Sequence, residues 1–304
     1  MFKTIPISIS IASNSFQKQV LRLSLGILLC WVNLCFAAEI PAPETVRVNL
    51  KDYSTPIVVQ VFKPEGNGPF PLVIFMHGRA GTPEARANLQ YPILPGHAAY
   101  WMRKGFVVIA PFRPGYGATG GPDMERSGNS ITKEGRCIGD HKYKEVAENA
   151  AKPIRELIGW AKTQSWVNPQ KILLVGQSVG GLTAVALGAN PPSGVIAYIN
   201  FVGGTGGDPI RNPGNSCFPE VLTELYGNFG KTTKIPNLWL YAENDEYWGP
   251  NAPIEWHKAF AASGGSGKFV MTAPVPGRGG HSLLQWGGRL WADHTDPFVK
   301  SLGF

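Results

Sequence analysis

Residues 171–181 read KILLVGQSVGG: an apolar run, then Gly176-Gln177-Ser178-Val179-Gly180, then small residues suited to the start of a helix. No other stretch constrains the chain as much. A serine between two glycines is common by chance. A serine forced into a sharp strand-to-helix turn, however, needs neighbours without side chains two residues away on either side, and Gly176 and Gly180 meet that need. Such a turn holds the hydroxyl clear of the backbone at a helix N-terminus, where free amides and the helix dipole favour developing negative charge. Attack by Ser178 on a carbonyl is the chemistry this implies, with a purely structural turn as the alternative.

The surrounding sequence supplies a matching frame. Apolar, β-branched runs at 57–62, 72–76, 106–111, 172–176, 195–202, 238–241 and 269–272 are nearly continuous, as buried parallel strands are. Helices are expected between and after them at 97–104, 142–164, 180–189, 253–262 and 290–301, with Pro153 kinking or restarting the longest. The alternation predicts an α/β fold with a mostly parallel sheet covered by helices on both faces. Two stretches rich in Gly, Pro and Asn, 115–139 and 203–215, read as long functional loops and not as a second domain.

The first residues differ from the rest. No acidic residue precedes Glu39, while Lys3, Lys18 and Arg22 lead into an apolar run that ends at Ala37 and Ala38. This is a secretory leader pattern. Cleavage after Ala37 is expected, giving residues 1–37 as signal peptide and 38–304 as one catalytic domain, secreted or periplasmic; a retained anchor is the alternative. Loss of those three cations lowers the net charge from +7 to +4. That mild excess is scattered among acids, as in Lys142, Lys144, Glu145 and Glu148, and gives no basic face for nucleic acid. Stable membrane insertion is not expected once the leader is removed. Of four cysteines only Cys137 and Cys217 remain after the leader, and an oxidising compartment favours their pairing over two free thiols. Neither has the neighbours of a zinc site.

The lead-in Val167-Asn168-Pro169-Gln170-Lys171 to GQSVGG resembles the α/β-hydrolase superfamily, in particular its dienelactone-hydrolase-like and prolyl-oligopeptidase-like branches, over residues 55–304. The resemblance implies a serine, acid and histidine in that chain order, backbone amides as an oxyanion hole, and no cofactor. Dienelactone hydrolase itself uses a cysteine nucleophile, so its lactone substrate does not transfer to a chain with Ser178. At the matching positions the base is His281, in Gly279-Gly280-His281-Ser282 before the last helix. The acid is Asp245, in Ala242-Glu243-Asn244-Asp245-Glu246, where Glu243 and Glu246 compete because one residue of register decides which carboxylate faces the histidine. The oxyanion donors are the amides of Arg79, in His77-Gly78-Arg79-Ala80-Gly81, and of Val179. His77 is a rival base, its strand-end position favouring a loop-shaping role. His97, His141, His257 and His294 read as surface or capping residues.

The loop from Phe112 to Gly117 leaves a strand on the catalytic side, which makes Tyr116 a candidate substrate contact; turn chemistry explains it equally well. Trp248, Trp256, Trp286 and Trp291 suit an aryl- or carbohydrate-bearing ligand, but core packing is the commoner role. The expected activity is hydrolysis of small carboxylic esters through an acyl-enzyme. A serine peptidase or amidase acting on small amides is the second possibility, and a non-catalytic binding protein on the same scaffold the third.

Overall fold

A computed structural model describes residues 42–304. The expected leader at 1–37 lies outside the described residues.

Among the described residues, ten strands and eight α-helices follow one another as β1 (Glu44–Val48), β2 (Ile57–Phe62), β3 (Phe70–Met76), α1 (Pro83–Ala87), α2 (Pro95–Met102), β4 (Val107–Pro111), β5 (Asn129–Ile131), β6 (Cys137–Gly139), α3 (Tyr143–Ala161), β7 (Val167–Gln177), α4 (Val179–Ala189), β8 (Val195–Phe201), α5 (Pro219–Gly230), β9 (Asn237–Ala242), α6 (Asn251–Ala262), β10 (Lys268–Thr272), α7 (Leu283–Trp286) and α8 (Arg289–Ser301). Eight strands form one sheet in the order β1-β2-β4-β3-β7-β8-β9-β10. The β1–β2 and β2–β4 pairs are antiparallel, and every pair from β4 to β10 is parallel. The mostly parallel α/β sheet expected from the apolar runs is therefore present.

Its centre is buried along most of its length. Leu72 through Met76 and Ile172 through Val175 each lose nearly all solvent exposure, which is why these strands carry no alternating polar residues. Helix α4 is apolar on every side and runs buried behind β7. Of the kink or restart expected at Pro153, the restart does not occur: helix α3 continues through Pro153, which is one of its buried residues. The first long loop contains an unexpected hairpin, β5–β6, paired Asn129 to Gly139 and Ile131 to Cys137. Among the described residues, no helix is long and apolar enough to cross a membrane.

Parallel strands share one C-terminal edge. The segments leaving β3, β4, β7, β8, β9 and β10 all start there, and in open α/β sheets this edge is where ligands bind.

Candidate functional site

Ser178 occupies the single residue between β7 and α4, with φ 56° and ψ −123°. A non-glycine residue with positive φ is strained, at a cost of about 1–3 kcal/mol, and survives only where its surroundings enforce it. Here they do. The Ser178 amide donates to the Phe201 carbonyl at 2.9 Å, and the Ser178 carbonyl accepts from Leu182 at 3.0 Å and Gly204 at 3.2 Å. A Cβ on Gly176 would lie 1.9 Å from the Gly180 carbonyl oxygen, and one on Gly180 would lie 2.0 Å from that of Met76. Glycine is required at both places by close backbone approach.

The candidate acid and the candidate base come from the loops after β9 and β10. Asp245, in the turn after β9, is buried at 2% exposure, and its Oδ1 accepts the amides of Tyr247 (2.8 Å) and Trp248 (3.3 Å). His281 sits on a 3-10 turn, Gly280–Ser282, with Nδ1 3.1 Å from Asp245 Oδ2 and 3.2 Å from Oδ1. Donation from Nδ1 to the carboxylate leaves Nε2 as a lone-pair acceptor, the form a general base needs. Of the three carboxylates in this segment, only that of Asp245 meets the imidazole. Glu246 instead accepts the His281 backbone amide at 3.2 Å, and Glu243 is exposed.

Two rings hold the imidazole: Tyr247 at 4.0 Å between centroids and Trp248 at 5.3 Å. The two glycines before His281 lie against the Asp245 loop. A Cβ on Gly280 would lie 2.5 Å from the Asp245 nitrogen, so the two loops touch there only because residue 280 lacks a side chain, whereas one on Gly279 would meet the movable end of the Glu246 carboxylate. His281 also borders the serine's neighbour, since its carbonyl accepts from Gln177 Nε2 at 3.2 Å.

On the opposite side, Gly78 abuts the serine; a Cβ built on it would lie 3.2 Å from Ser178 Cβ. The next residue, Arg79, has a backbone amide that finds no acceptor among the described residues. Val179 is the first residue of α4, a position whose N–H has no partner within the helix. Arg79's guanidinium points away and pairs with Asp123, while its Nε donates to the Glu125 carbonyl at 2.9 Å.

Beneath this loop lies a buried polar cluster that the sequence alone did not reveal. Arg113 Nε meets Glu125 Oε1 at 2.5 Å, Nη2 meets Oε2 at 3.1 Å, and Nη1 donates to the His77 carbonyl at 2.7 Å. Burial opposes the Arg113 charge, but the Glu125 carboxylate outweighs it and keeps the guanidinium protonated. His77 Nδ1 donates to the Gly78 carbonyl at 2.7 Å and Nε2 accepts the Arg113 amide at 3.3 Å. With both ring nitrogens committed, and its pKa held well below the usual value by burial and by the Arg113 charge, His77 is a structural residue of the loop.

Tyr116 does not reach a cavity. It is fully buried, its ring edge-on to His77 and its hydroxyl donating to Glu125 Oε2 at 2.8 Å. The expected substrate contact is thus a second prop for the same loop, because an aromatic this close to a buried carboxylate packs inward. His97 also departs from its surface assignment. It is 8% exposed, and its Nε2 accepts from Trp101 Nε1 at 3.1 Å within an aromatic cluster. Trp248, Trp256 and Trp291 are buried, whereas Trp286 is 61% exposed beneath the Arg278 guanidinium.

Cys137 and Cys217 form a disulfide. It ties the β5–β6 hairpin to the segment after β8, and Arg211 Nη1 adds a second tie to the Ile131 carbonyl at 3.0 Å. Among the described residues, no group of three or more His, Cys, Asp or Glu side chains is arranged to hold a metal.

No sequence-family profile matches the chain, and no curated relative does. Solved structures share its shape. They include the esterase Pf2001 of Pyrococcus furiosus (TM-score 0.58, 11% identity, 86% of this chain and 91% of that one) and the α/β hydrolase GrgF of Penicillium sp. sh18 (TM-score 0.59, 16% identity, 87% and 100%). Dipeptidyl peptidase 4 of Porphyromonas gingivalis is also similar (TM-score 0.56, 13% identity), over 86% of this chain but 35% of that much longer one. At such identities the likeness establishes the fold. The chain has the α/β-hydrolase fold.

Proposed function

We propose that this protein is a serine hydrolase that cleaves carboxylic esters through an acyl-enzyme, with Ser178 as nucleophile, His281 as base and Asp245 as the carboxylate that orients it. The observations carrying the proposal are the strained Ser178 at the β7–α4 turn and, bonded through its backbone carbonyl to the side chain of the adjacent Gln177, a histidine whose Nδ1 is held by a buried carboxylate. Strain of this kind marks functional positions. Residue order and chemistry match the serine, acid, histidine sequence of nucleophile-elbow enzymes.

The mechanism follows from these groups. His281 Nε2 takes the Ser178 proton as the oxygen attacks the ester carbonyl. The amides of Arg79 and Val179 receive the resulting oxyanion, each contributing about 3 kcal/mol to transition-state stabilisation. The imidazolium, stabilised by Asp245, then protonates the departing alkoxide. Water repeats the sequence on the acyl-enzyme and releases the acid and free Ser178.

The disulfide favours an oxidising compartment and supports export behind the 1–37 leader. Resemblance to a dipeptidyl peptidase keeps small amides as the competing substrate class. Turnover of p-nitrophenyl acetate against an aminoacyl-anilide separates the two, the ester being cleaved far faster on the proposed reading. Fluorophosphonate labelling of the parent, lost in Ser178→Ala, tests the nucleophile itself. No labelling of either would favour a binding protein on the same scaffold, and labelling that persists in the variant would place the nucleophile elsewhere.

A further inference from the structure

A cavity of about 290 Å³ opens beside the nucleophile turn. Gly78 and Arg79 form one edge and Gln177 another, so it abuts Ser178, although neither Ser178 nor His281 lines it. An amide pair stands on the Gln177 edge. Gln177 Nε2 donates to Gln285 Oε1 at 3.1 Å, Gln285 Nε2 donates back to Gln177 Oε1 at 2.6 Å, and both side chains line the cavity. Phe75, Ile93 and Leu284 form its buried interior and Leu89 its half-buried wall, with Leu94 and Tyr91 standing exposed at the mouth.

The walls offer no free charge. The Arg79 guanidinium is spent on Asp123 and the Glu125 carbonyl. His77 and His97 are both neutral, and burial alone pushes His97 down to about 3. A carboxylate or ammonium entering this space would lose much of its hydration without gaining a partner, which is costly. An apolar group would gain about 25 cal/mol for each Å² removed from water. As a size guide, an apolar protein cavity of about 150 Å³ accommodates benzene, so this one has room for a single aromatic ring or a medium aliphatic chain.

Resting on the esterase reading above, we infer that this cavity binds one uncharged apolar moiety of the ester, acyl or alkoxy, and that the Gln177–Gln285 pair is the partition the moiety displaces or passes to bring its carbonyl to Ser178. The substrate class is then an ester with an uncharged aliphatic or aryl group on the side that enters this cavity. A carboxylate or ammonium on that same side is excluded by charge.

Two substitutions fill the space: Leu89→Trp on the wall and Ile93→Phe in the interior, with thermal melts confirming that each folds. Chain-length preference is read as the ratio of kcat/KM for hexanoate over acetate p-nitrophenyl esters, and for hexyl over methyl acetate. At least one ratio should fall tenfold or more in a folded variant, and which one falls tells the acyl from the alkoxy side. Calorimetry with hexan-1-ol and with hexanoate gives a readout independent of turnover. The alcohol should bind the parent at least tenfold more tightly than the anion and lose tenfold in the variants. Unchanged ratios, or a parent that prefers hexanoate, would overturn the inference. A parent that binds hexan-1-ol as expected yet hydrolyses none of the esters would leave the cavity assignment standing and defeat the esterase reading instead.

Discussion

Arg113 and Glu125 form a two-pronged ion pair with essentially no solvent exposure, and the same guanidinium holds the His77 carbonyl at the base of the Gly78–Arg79 segment. Removing one partner strands the other charge in the interior, at about 3–5 kcal/mol. Glu125→Gln should therefore lower the unfolding free energy by an amount in that range. In the double variant Arg113→Met/Glu125→Leu no charge is stranded, so much of the stability should return. The His77 carbonyl loses its donor only in this double variant, and kcat should be depressed there. Denaturant melts combined with ester kinetics check both parts; an undiminished kcat in the double variant would remove the loop-positioning role.

Asp245 and Glu246 contact His281 at different atoms, the imidazole Nδ1 and the backbone amide. Their loss should differ accordingly. Asp245→Asn cannot hold the imidazole in the same tautomer and should lower kcat by about 10,000-fold, as loss of a triad carboxylate does elsewhere. Glu246→Gln keeps an acceptor for the amide and should cost less than about tenfold, in line with a single neutral hydrogen bond of about 1 kcal/mol. Comparable losses in the two variants would reassign the acid.

The parts of this architecture that sequence reveals are those dictated by local pattern. The buried run 172–176 and the glycines at 176 and 180 are legible because parallel strands are apolar throughout and a tight elbow tolerates no Cβ. Helix α5 and strand β1 escape such reading. The first opens on Phe218 in a left-handed conformation with no side-chain cap, and the second is a largely exposed edge strand. Glu125 is the clearest omission. It lies amid Pro, Gly and charged residues that read as solvated loop, and only the fold brings Arg113 and Tyr116 around it. The same holds for the Gln177–Gln285 pair, whose members are 108 residues apart.

The disulfide closes a loop spanning 80 positions and fixes the β5–β6 hairpin against the segment before α5. Cross-links of this span stabilise by about 2–4 kcal/mol, chiefly by restricting the unfolded chain. Cys137→Ser/Cys217→Ser should lose that much in denaturant titrations, as should the reduced parent. If the hairpin also shapes the rim of the site, chain-length preference among esters should shift in the same variant. A change in stability without any change in preference would confine the bridge to a structural role.

Acid sensitivity should trace in part to His97. Its imidazole is neutral in the fold because burial pushes its pKa to about 3, whereas the unfolded chain protonates it near the ordinary 6.5. Below that ordinary value the unfolded state binds the extra proton, so stability is fully present above it and is lost as pH falls towards 3. Between pH 7 and pH 5 the loss attributable to this one group is about 2 kcal/mol. His97→Gln retains an acceptor for the Trp101 indole and does not titrate. Its unfolding free energy should fall by about 2 kcal/mol less than the parent's over the same interval. Parallel pH profiles for parent and variant, measured by urea denaturation at both pH values, would show that His97 is protonated within the fold and that its aromatic surroundings do not exclude the charge.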